Sequence, residues 1–248
     1  MSGRSTSTVK RIIHYWLQRP PTVQSNLSKA KYLIFDGTWL QPNNEVYAVM
    51  NAADHTVIAG AYDLCERSKR LAPFYAQLAS RGLKPFSATT DGDYRQMNSI
   101  QAAWPAIVLQ RCVVHVQRQG LSWCRRYPKT PEAKGLRKLF LALSKVKSHA
   151  ARVTFIRQIR AWEKRFGPGM TESLNRGRVF TDLILARRTL LKALPTLFQF
   201  LEHRRIPNST NALEGYFARL KEKYRRHRGM DLNNRHAFFL WYFFLRPK

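Results

Sequence analysis

Three acidic residues occupy positions from which carboxylates could bind a divalent metal. Asp36 follows a strand-like apolar run, Asp91 follows a second such run, and Glu214 lies at a predicted helix start. The chain has 43 Lys and Arg but only 15 Asp and Glu, so few other carboxylates compete for this role. Carboxylates are ligands that Mg²⁺ or Mn²⁺ prefers, and bound metals can activate a water or a 3′-hydroxyl in phosphodiester chemistry. These residues therefore suggest metal-assisted phosphoryl transfer on nucleic acid.

Each acid also has an alternative interpretation. Asp36 could be an ordinary acid at the end of a strand, facing solvent. Asp91 competes with Asp93, because residues two apart in an extended chain face the same way. Asn211 and Glu214 match a capping box, in which Glu214 would reach back to the backbone amide of its own helix.

The overall charge points to a polyanionic partner. The formal net charge is +28 and the isoelectric point is near 10.9, which exceeds what solubility requires. No apolar run of about 18 residues appears, and the basic residues are spread along the whole chain, so nucleic acid is favoured over a membrane. Hydrophobic residues make up 44% of the chain, enough for a sizeable core.

Two basic segments are candidates for contacts with phosphates. The N-terminal segment 9–17 predicts a short basic helix that contains Lys10 and Arg11. The segment after Glu214 carries six cations against the single Glu222, namely Arg219, Lys221, Lys223, Arg225, Arg226 and Arg228. If this segment faces solvent or protein instead, the next candidates lie in a predicted helical region, namely Arg152, Arg157, Arg160, Lys164 and Arg165.

The order of predicted elements changes from β to α along the chain. Alternating apolar residues predict strands over 31–40, 45–54, 56–64, 84–90 and 106–112, with helices over 68–81 and 94–104. Thr130 and Pro131 then mark a helix start, and further helices are predicted over 148–166, 181–194 and 195–203. The apolar segment 237–245 is too short to span a bilayer and predicts a helix buried against the sheet or an oligomer contact.

The cysteines suggest a reducing compartment. Cys65, Cys112 and Cys124 do not form a disulfide framework and no signal peptide is visible, so a cytoplasmic, nucleoid-associated protein is expected. Cys112 and His115 have half of a zinc-binding spacing, and one half is not a site. We expect Cys112 to be buried at a strand end, with His115 in the first turn of the next helix.

Four segments together resemble the DDE transposases of bacterial insertion sequences related to the eukaryotic Mutator elements. The segments are Phe35-Asp36-Gly37-Thr38, Thr90-Asp91-Gly92, the stretch from Trp104-Pro105 to Cys112-Val113-Val114-His115, and Ser209-Thr210-Asn211-Ala212-Leu213-Glu214. The Cys-x-x-His and the Thr-Asn-x-x-Glu are the most specific parts, and the similarity covers about residues 31 to 230.

The resemblance implies an α/β fold with a ribonuclease-H-like mixed sheet and an α-helical insertion before the catalytic Glu. It implies that Asp36, Asp91 and Glu214 are the catalytic, metal-binding triad, and that Cys112 and His115 support the active site or the DNA strand near it. It also implies a multimer, at least a dimer, that pairs two transposon ends.

The expected organisation divides the chain into four parts. Residues 1–30 form a short basic helix and linker, residues 31–128 the first part of the catalytic domain, residues 129–205 the insertion, and residues 206–248 the C-terminal helices. Family members usually carry a longer N-terminal DNA-binding region, so residues 1–30 are interpreted as a possible remnant of a helix-turn-helix.

Three functions remain open on the sequence. The first is a transposase that cleaves transposon ends and joins their 3′-hydroxyls to target DNA. The second is a metal-dependent nuclease or resolvase that hydrolyses DNA without strand transfer. The third is a non-enzymatic DNA-binding protein derived from a transposase, which the presence of all three acids disfavours.

Overall fold

The chain divides into two compact units. The computed structural model describes residues 3–19, 21, 26–41, 44–64, 69–170, 177–227 and 229–245. The first unit is formed by Met1–Ala88, Asp93–Ile107 and Asn211–Lys248, and the second by Thr89–Gly92 and Val108–Thr210.

The described residues form a mixed α/β fold. The strands are β1 (Tyr32–Gln41), β2 (Asn44–Asn51), β3 (Thr56–Tyr62), β4 (Ser87–Thr90) and β5 (Val108–Arg111). The helices are α1 (Thr6–Leu17), α2 (Leu71–Ser80), α3 (Tyr94–Ala103), α4 (Val113–Cys124), α5 (Pro131–Leu143), α6 (His149–Phe166), α7 (Arg178–Leu197), α8 (Gln199–Glu202), α9 (Asn211–Arg225) and α10 (Leu232–Leu245). The strands form a mixed sheet in the order β3-β2-β1-β4-β5.

The first three strands form an antiparallel meander, as the sequence predicted. Asp36 on β1 is opposite Ala48 on β2, and Met50 on β2 is opposite Val57 on β3. The second strand is shorter than predicted, since the Thr56 N–H donates to the Asp54 carboxylate (3.0 Å) in the turn that follows β2. Polar turn formation by Asp competes with continued strand pairing, which is why β2 ends at Asn51.

One face of this meander packs against α9 and α10. Its core contains side chains from β1, β2, β3 and both helices, among them Ile34, Val46, Ala48, Met50, Leu213, Tyr216, Phe217, Leu220, Phe239 and Phe243. Gly60 on β3 allows this close packing, because a Cβ there would overlap the ring of Phe243. The C-terminal apolar segment is a helix that packs one side against the sheet, as predicted, whereas Leu240, Phe244 and Leu245 are exposed and the alternative of an oligomer contact stays a prediction.

The opposite face of the meander carries aromatic residues with a buried polar group. The hydroxyl of Tyr47 lies 2.6 Å from that of Tyr75, and Gln96 on α3 donates to the Tyr47 hydroxyl at 2.9 Å. The rings of Phe35 and Trp104 contact Tyr75. These bonds satisfy groups that would otherwise be costly to bury, so α2 and α3 are fixed on this face.

The N-terminal helix α1 forms as predicted and has no buried residue. The Ser5 side chain caps it by accepting from the Thr8 N–H at 3.3 Å. It contacts α10 through the Trp241 indole, which donates to the carbonyl of Trp16 at 2.8 Å. Part of the predicted linker after α1, residues 22–25, lies outside the described residues.

The second unit is largely a helical bundle with its own core. Helix α4 packs against α5 and α7, and Gly120 permits close approach because a Cβ there would overlap the ring of Phe140. Two predicted helix starts are confirmed by their caps: Thr130 accepts from Ala133 N–H at 3.4 Å, and Ser148 accepts from Ala151 N–H at 3.2 Å.

One predicted helix boundary in this unit is wrong. The sequence placed a break before Pro195, but α7 continues through it to Leu197, and the chain leaves helical geometry at Phe198 (φ −123°). A proline removes one helix hydrogen bond, which local reasoning treats as a stop. Here the buried side of α7, which includes Leu190 and Ala193, continues past Pro195 to Leu197, and packing outweighs the local penalty.

Candidate active site

Asp36 is a buried carboxylate in the middle of a central strand. Only 6% of the residue is exposed. The N–H of Gly37 donates to its Oδ1 at 2.9 Å. Because Asp36 is buried, the alternative of an acid that faces solvent is wrong. Burial of a charged group is costly unless it is compensated.

Glu214 lies on the helix that packs against this strand. Helix α9 contacts β1, and Ile34 shares a buried core with Leu213 of the helix. Side chains two residues apart on a strand share a face, so Asp36 is on the face of β1 that carries Ile34 and meets α9. Ala48, which is opposite Asp36, belongs to the same core. Within the first unit, the fold therefore brings the elements that carry Asp36 and Glu214 together.

The helix boundary does not favour the capping-box interpretation of Glu214. That interpretation needs Asn211 immediately before the helix, but α9 begins at Asn211 and Thr210 precedes it. Glu214 is half-buried in the first turn, beside the packed Leu213.

Asp91 directly follows the last residue of β4 and belongs to the second unit. Its side chain is half-buried. Gly92 follows it with a positive φ of 97°, and its N–H donates to the Thr90 hydroxyl at 3.1 Å. The competing Asp93 has a different role: it is the N-cap of α3, and its side chain accepts from Arg95 N–H at 2.8 Å. Asp93 therefore has a structural role as a helix cap, and the assignment of Asp91 as a metal ligand stays a prediction.

Arg111, at the end of β5, was not assigned by the sequence analysis. Burial lowers the pKa of its guanidinium, while the negative charge of nearby Asp91 raises it. The signal that could have found it is its place at a strand end directly before Cys112, within a segment already matched to the family.

Cys112 and His115 meet a third residue, Thr210. Cys112 is fully buried and is the N-cap of α4, where its Sγ accepts from the His115 N–H at 3.5 Å. The Thr210 N–H (3.4 Å) and hydroxyl (3.7 Å) also point to this sulfur, and the hydroxyl lies 3.3 Å from His115 Nδ1. The expected placements of Cys112 at a strand end and of His115 in the next helix are confirmed. Thr210 was missed, although it stood within the matched segment.

The pKa of the Cys112 thiol lies below its usual range. Burial raises this pKa, but the hydrogen bond and charge of His115, together with the backbone N–H groups of His115 and Thr210, lower it further than burial raises it. Cys124 differs, because burial raises its pKa to about 12. Both are free thiols, and Cys65 lies outside the described residues.

The predicted basic helix after Glu214 is shorter than expected. Helix α9 ends at Arg225, so Arg226 lies in the following turn, where it pairs with Glu222 at 3.9 Å. The buried stripe of the helix ends at Tyr224, so no packing supports a longer helix. Arg228 lies outside the described residues.

The other proposed phosphate-binding residues are mostly at the surface. Arg219 is exposed with its guanidinium over the ring of Tyr216, Lys221 is half-buried, and the remainder are exposed, namely Lys10, Arg11, Lys223 and Arg225.

The acids have the donor chemistry of a Mg²⁺ site but are not a preformed metal cluster. Asp36, Asp91 and Glu214 offer only oxygen donors, as a hard divalent cation requires. Within the described ranges, no three His, Cys, Asp or Glu side chains form a group that could hold a metal ion.

Comparison with known proteins decides the family. The model of the family "Transposase, Mutator family" matches residues 48–233. The chain belongs to this Mutator family of transposases. The matched residues include Asp91, Cys112, His115 and Glu214, whereas Asp36 lies ahead of them.

A curated relative of this Mutator-family chain comes from Corynebacterium diphtheriae. It is described as a "Probable transposase for insertion sequence element" and is 27% identical over 161 residues, which is 64% of this chain. The match spans 42% of the relative's length. None of the described helices has both the length and the apolar character needed to cross a membrane.

Proposed function

We propose that this chain is the catalytic part of a transposase that cleaves DNA at transposon ends and joins the freed 3′-hydroxyls to target DNA. Membership of the Mutator family of transposases is the observation that carries the proposal. A net charge of +28 supports a polyanionic substrate. We further propose a ribonuclease-H-like sheet, which is supported by a mixed sheet followed by helices before Glu214.

Asp36, Asp91 and Glu214 are the proposed ligands of Mg²⁺ or Mn²⁺. When bound, the metal supplies Lewis acidity that activates a water or a 3′-hydroxyl and stabilises the leaving oxygen. The Gly37 N–H orients the Asp36 carboxylate, and the packing of α9 on β1 supports Glu214. Cys112 and His115 are proposed to support the active site or the DNA strand near it, together with Thr210, which contacts both side chains. Exposed Lys and Arg neutralise DNA phosphates, and two transposon ends are proposed to be paired by at least a dimer.

The decisive test replaces each proposed ligand by its uncharged amide. Asp36→Asn, Asp91→Asn and Glu214→Gln should each abolish strand cleavage in Mg²⁺ while leaving DNA binding nearly intact, because metal binding needs the charge and phosphate binding rests on Lys and Arg. Cleavage and joining are measured on labelled DNA that carries the terminal repeats flanking the coding region. EDTA should also stop cleavage.

Asp93→Asn is the matched control, because Asn is as good an N-cap as Asp. This variant should cleave as the unmodified protein does. Cleavage by Glu214→Gln, or a dead Asp93→Asn beside an active Asp91→Asn, would contradict the assignment. Cleavage without joining would indicate the nuclease, and DNA binding without cleavage would indicate a derived binding protein.

A further inference from the structure

The side chain of Arg111 is half-buried, and one of its hydrogen-bond donors has no acceptor among the described residues. Its Nε is buried and donates to no acceptor in the described part of the chain. Arg187 shows the contrasting case in the same unit: it makes three hydrogen bonds of 2.6 to 3.0 Å to the carboxylate of Glu163. Arg187 is a completed ion pair, whereas Arg111 retains an unused donor.

Gly92 lets Arg111 lie against the backbone that follows Asp91. A Cβ at Gly92 would overlap the Nε, Cδ and Cζ atoms of Arg111, and the positive φ of 97° also favours glycine. The guanidinium is therefore directly beside the Asp91–Gly92 peptide, and Asp91 is the carboxylate whose charge acts on it.

Burial of this cation becomes more costly if Asp91 binds a metal. A buried charge is destabilising unless an opposite charge and hydrogen bonds compensate it. A divalent cation on Asp91 would take up the negative charge that Arg111 faces. A further anion beside the guanidinium would restore this compensation, and a phosphate suits it because the planar fork of Arg binds phosphate oxygens through paired N–H groups.

We propose that Arg111 binds one phosphate of the DNA strand that is presented to Asp91. The inference rests on the proposed function in taking DNA as the ligand, and it assigns to Arg111 a contact with substrate.

The experiment measures DNA binding with single phosphates made neutral by methylphosphonate linkages, in Ca²⁺ so that no turnover is needed. At one position the neutral linkage should weaken binding of the unmodified protein by about tenfold, as expected for a hydrogen bond to a charged group. Arg111→Met, which keeps the side-chain volume, should bind DNA more weakly than the unmodified protein. The neutral linkage at that one position should no longer weaken its binding further, which we call the loss of the position-specific penalty. Its slope of log affinity against log salt should fall by about 0.9.

Two variants complete the design. Arg126→Met removes one charge from an exposed arginine of the same unit and should keep the position-specific penalty. Arg111→Lys keeps the charge but not the fork, so the salt slope should stay while the penalty shrinks. Arg111→Lys also carries the test if Arg111→Met does not fold, which thermal unfolding will report.

An unchanged penalty in Arg111→Met and Arg111→Lys overturns the inference. Arg111 would then only balance the charge of Asp91, and its replacement would destabilise the unmodified protein more than it destabilises the Asp91→Asn variant. These readouts are equilibrium affinities, so they remain valid if the protein binds DNA but fails to cleave it. That failure would overturn the proposed function and leave the phosphate contact standing, whereas absence of DNA binding would overturn both.

Discussion

At the scale of single residues, Cys112 has an unusual electrostatic setting for a fully buried thiol. The folded state lowers its pKa below the usual 9 through His115 and Thr210. A group whose folded pKa is lowered stabilises the fold above its unfolded pKa, and this stabilisation is lost as the pH falls through the folded value. Cys112 should therefore add stability as the pH rises from neutral towards 9.

Cys112→Ser removes this titration and keeps a hydroxyl that can cap α4. The free energy of unfolding, measured by urea at several pH values, should show the unmodified protein gaining on Cys112→Ser as the pH rises towards 9. Cys124→Ser is the control, because the pKa of Cys124 near 12 keeps its thiol protonated in this range. A constant difference between the unmodified protein and Cys112→Ser would show that Cys112 stays protonated in the fold.

At the scale of elements, α9 combines a packed side with an exposed basic side. Lys223 and Arg225 are exposed near its C-terminal end, away from the buried stripe that includes Leu220 and Tyr224. Helix α6 also presents exposed cations, Arg157 and Arg160, so two surfaces compete for the DNA path.

Replacing Lys223 and Arg225 together by Ala should weaken binding to all DNA sequences similarly. The slope of log affinity against log salt should fall by up to about 0.9 for each phosphate that α9 no longer neutralises, because bound phosphates release counterions irrespective of sequence. Fluorescence anisotropy over a series of NaCl concentrations gives the slope. The double variant Arg157→Ala with Arg160→Ala removes the same charge from α6. If only this double variant lowers the slope of log affinity against log salt, the DNA path runs over the helical unit instead of α9.

At the scale of the whole molecule, positive charge is only weakly compensated. The chain has 43 basic against 15 acidic residues, and ion pairs such as Arg152–Glu202 and Arg226–Glu222 are partly exposed. Pairs of that kind contribute about 0–1 kcal/mol each, whereas a net charge far from zero destabilises the compact state by self-repulsion.

Salt should therefore stabilise the free protein. Raising NaCl from about 0.1 M to about 1 M shortens the screening length from about 10 Å to about 3 Å and weakens the repulsion. Each added kcal/mol of stability should raise the Tm by about 2–4 °C for a chain of this size, as calorimetry can measure. KCl should act alike, and a Tm that falls with both salts would show that ion pairs outweigh the repulsion.

Local features of the sequence determined most of the elements and two capped helix starts. The antiparallel meander follows from alternating apolar residues, and Thr130 and Ser148 cap helices where their own neighbours predict them. These features depend on residues only a few positions apart, and a single sequence contains that information. The family motifs likewise identified Asp36, Asp91 and Glu214 as candidates, and their joint role as metal ligands stays a prediction.

Only the tertiary structure decided which polar residues meet. Thr210 contacts Cys112 across 98 positions of the chain, and the space above Gly92 is filled by Arg111 from another strand. Packing of the buried side of α7 likewise explains why this helix continues past Pro195. Such contacts depend on the path of the backbone between distant segments, which no local pattern encodes, because propensity and capping act only over a helical turn or a strand.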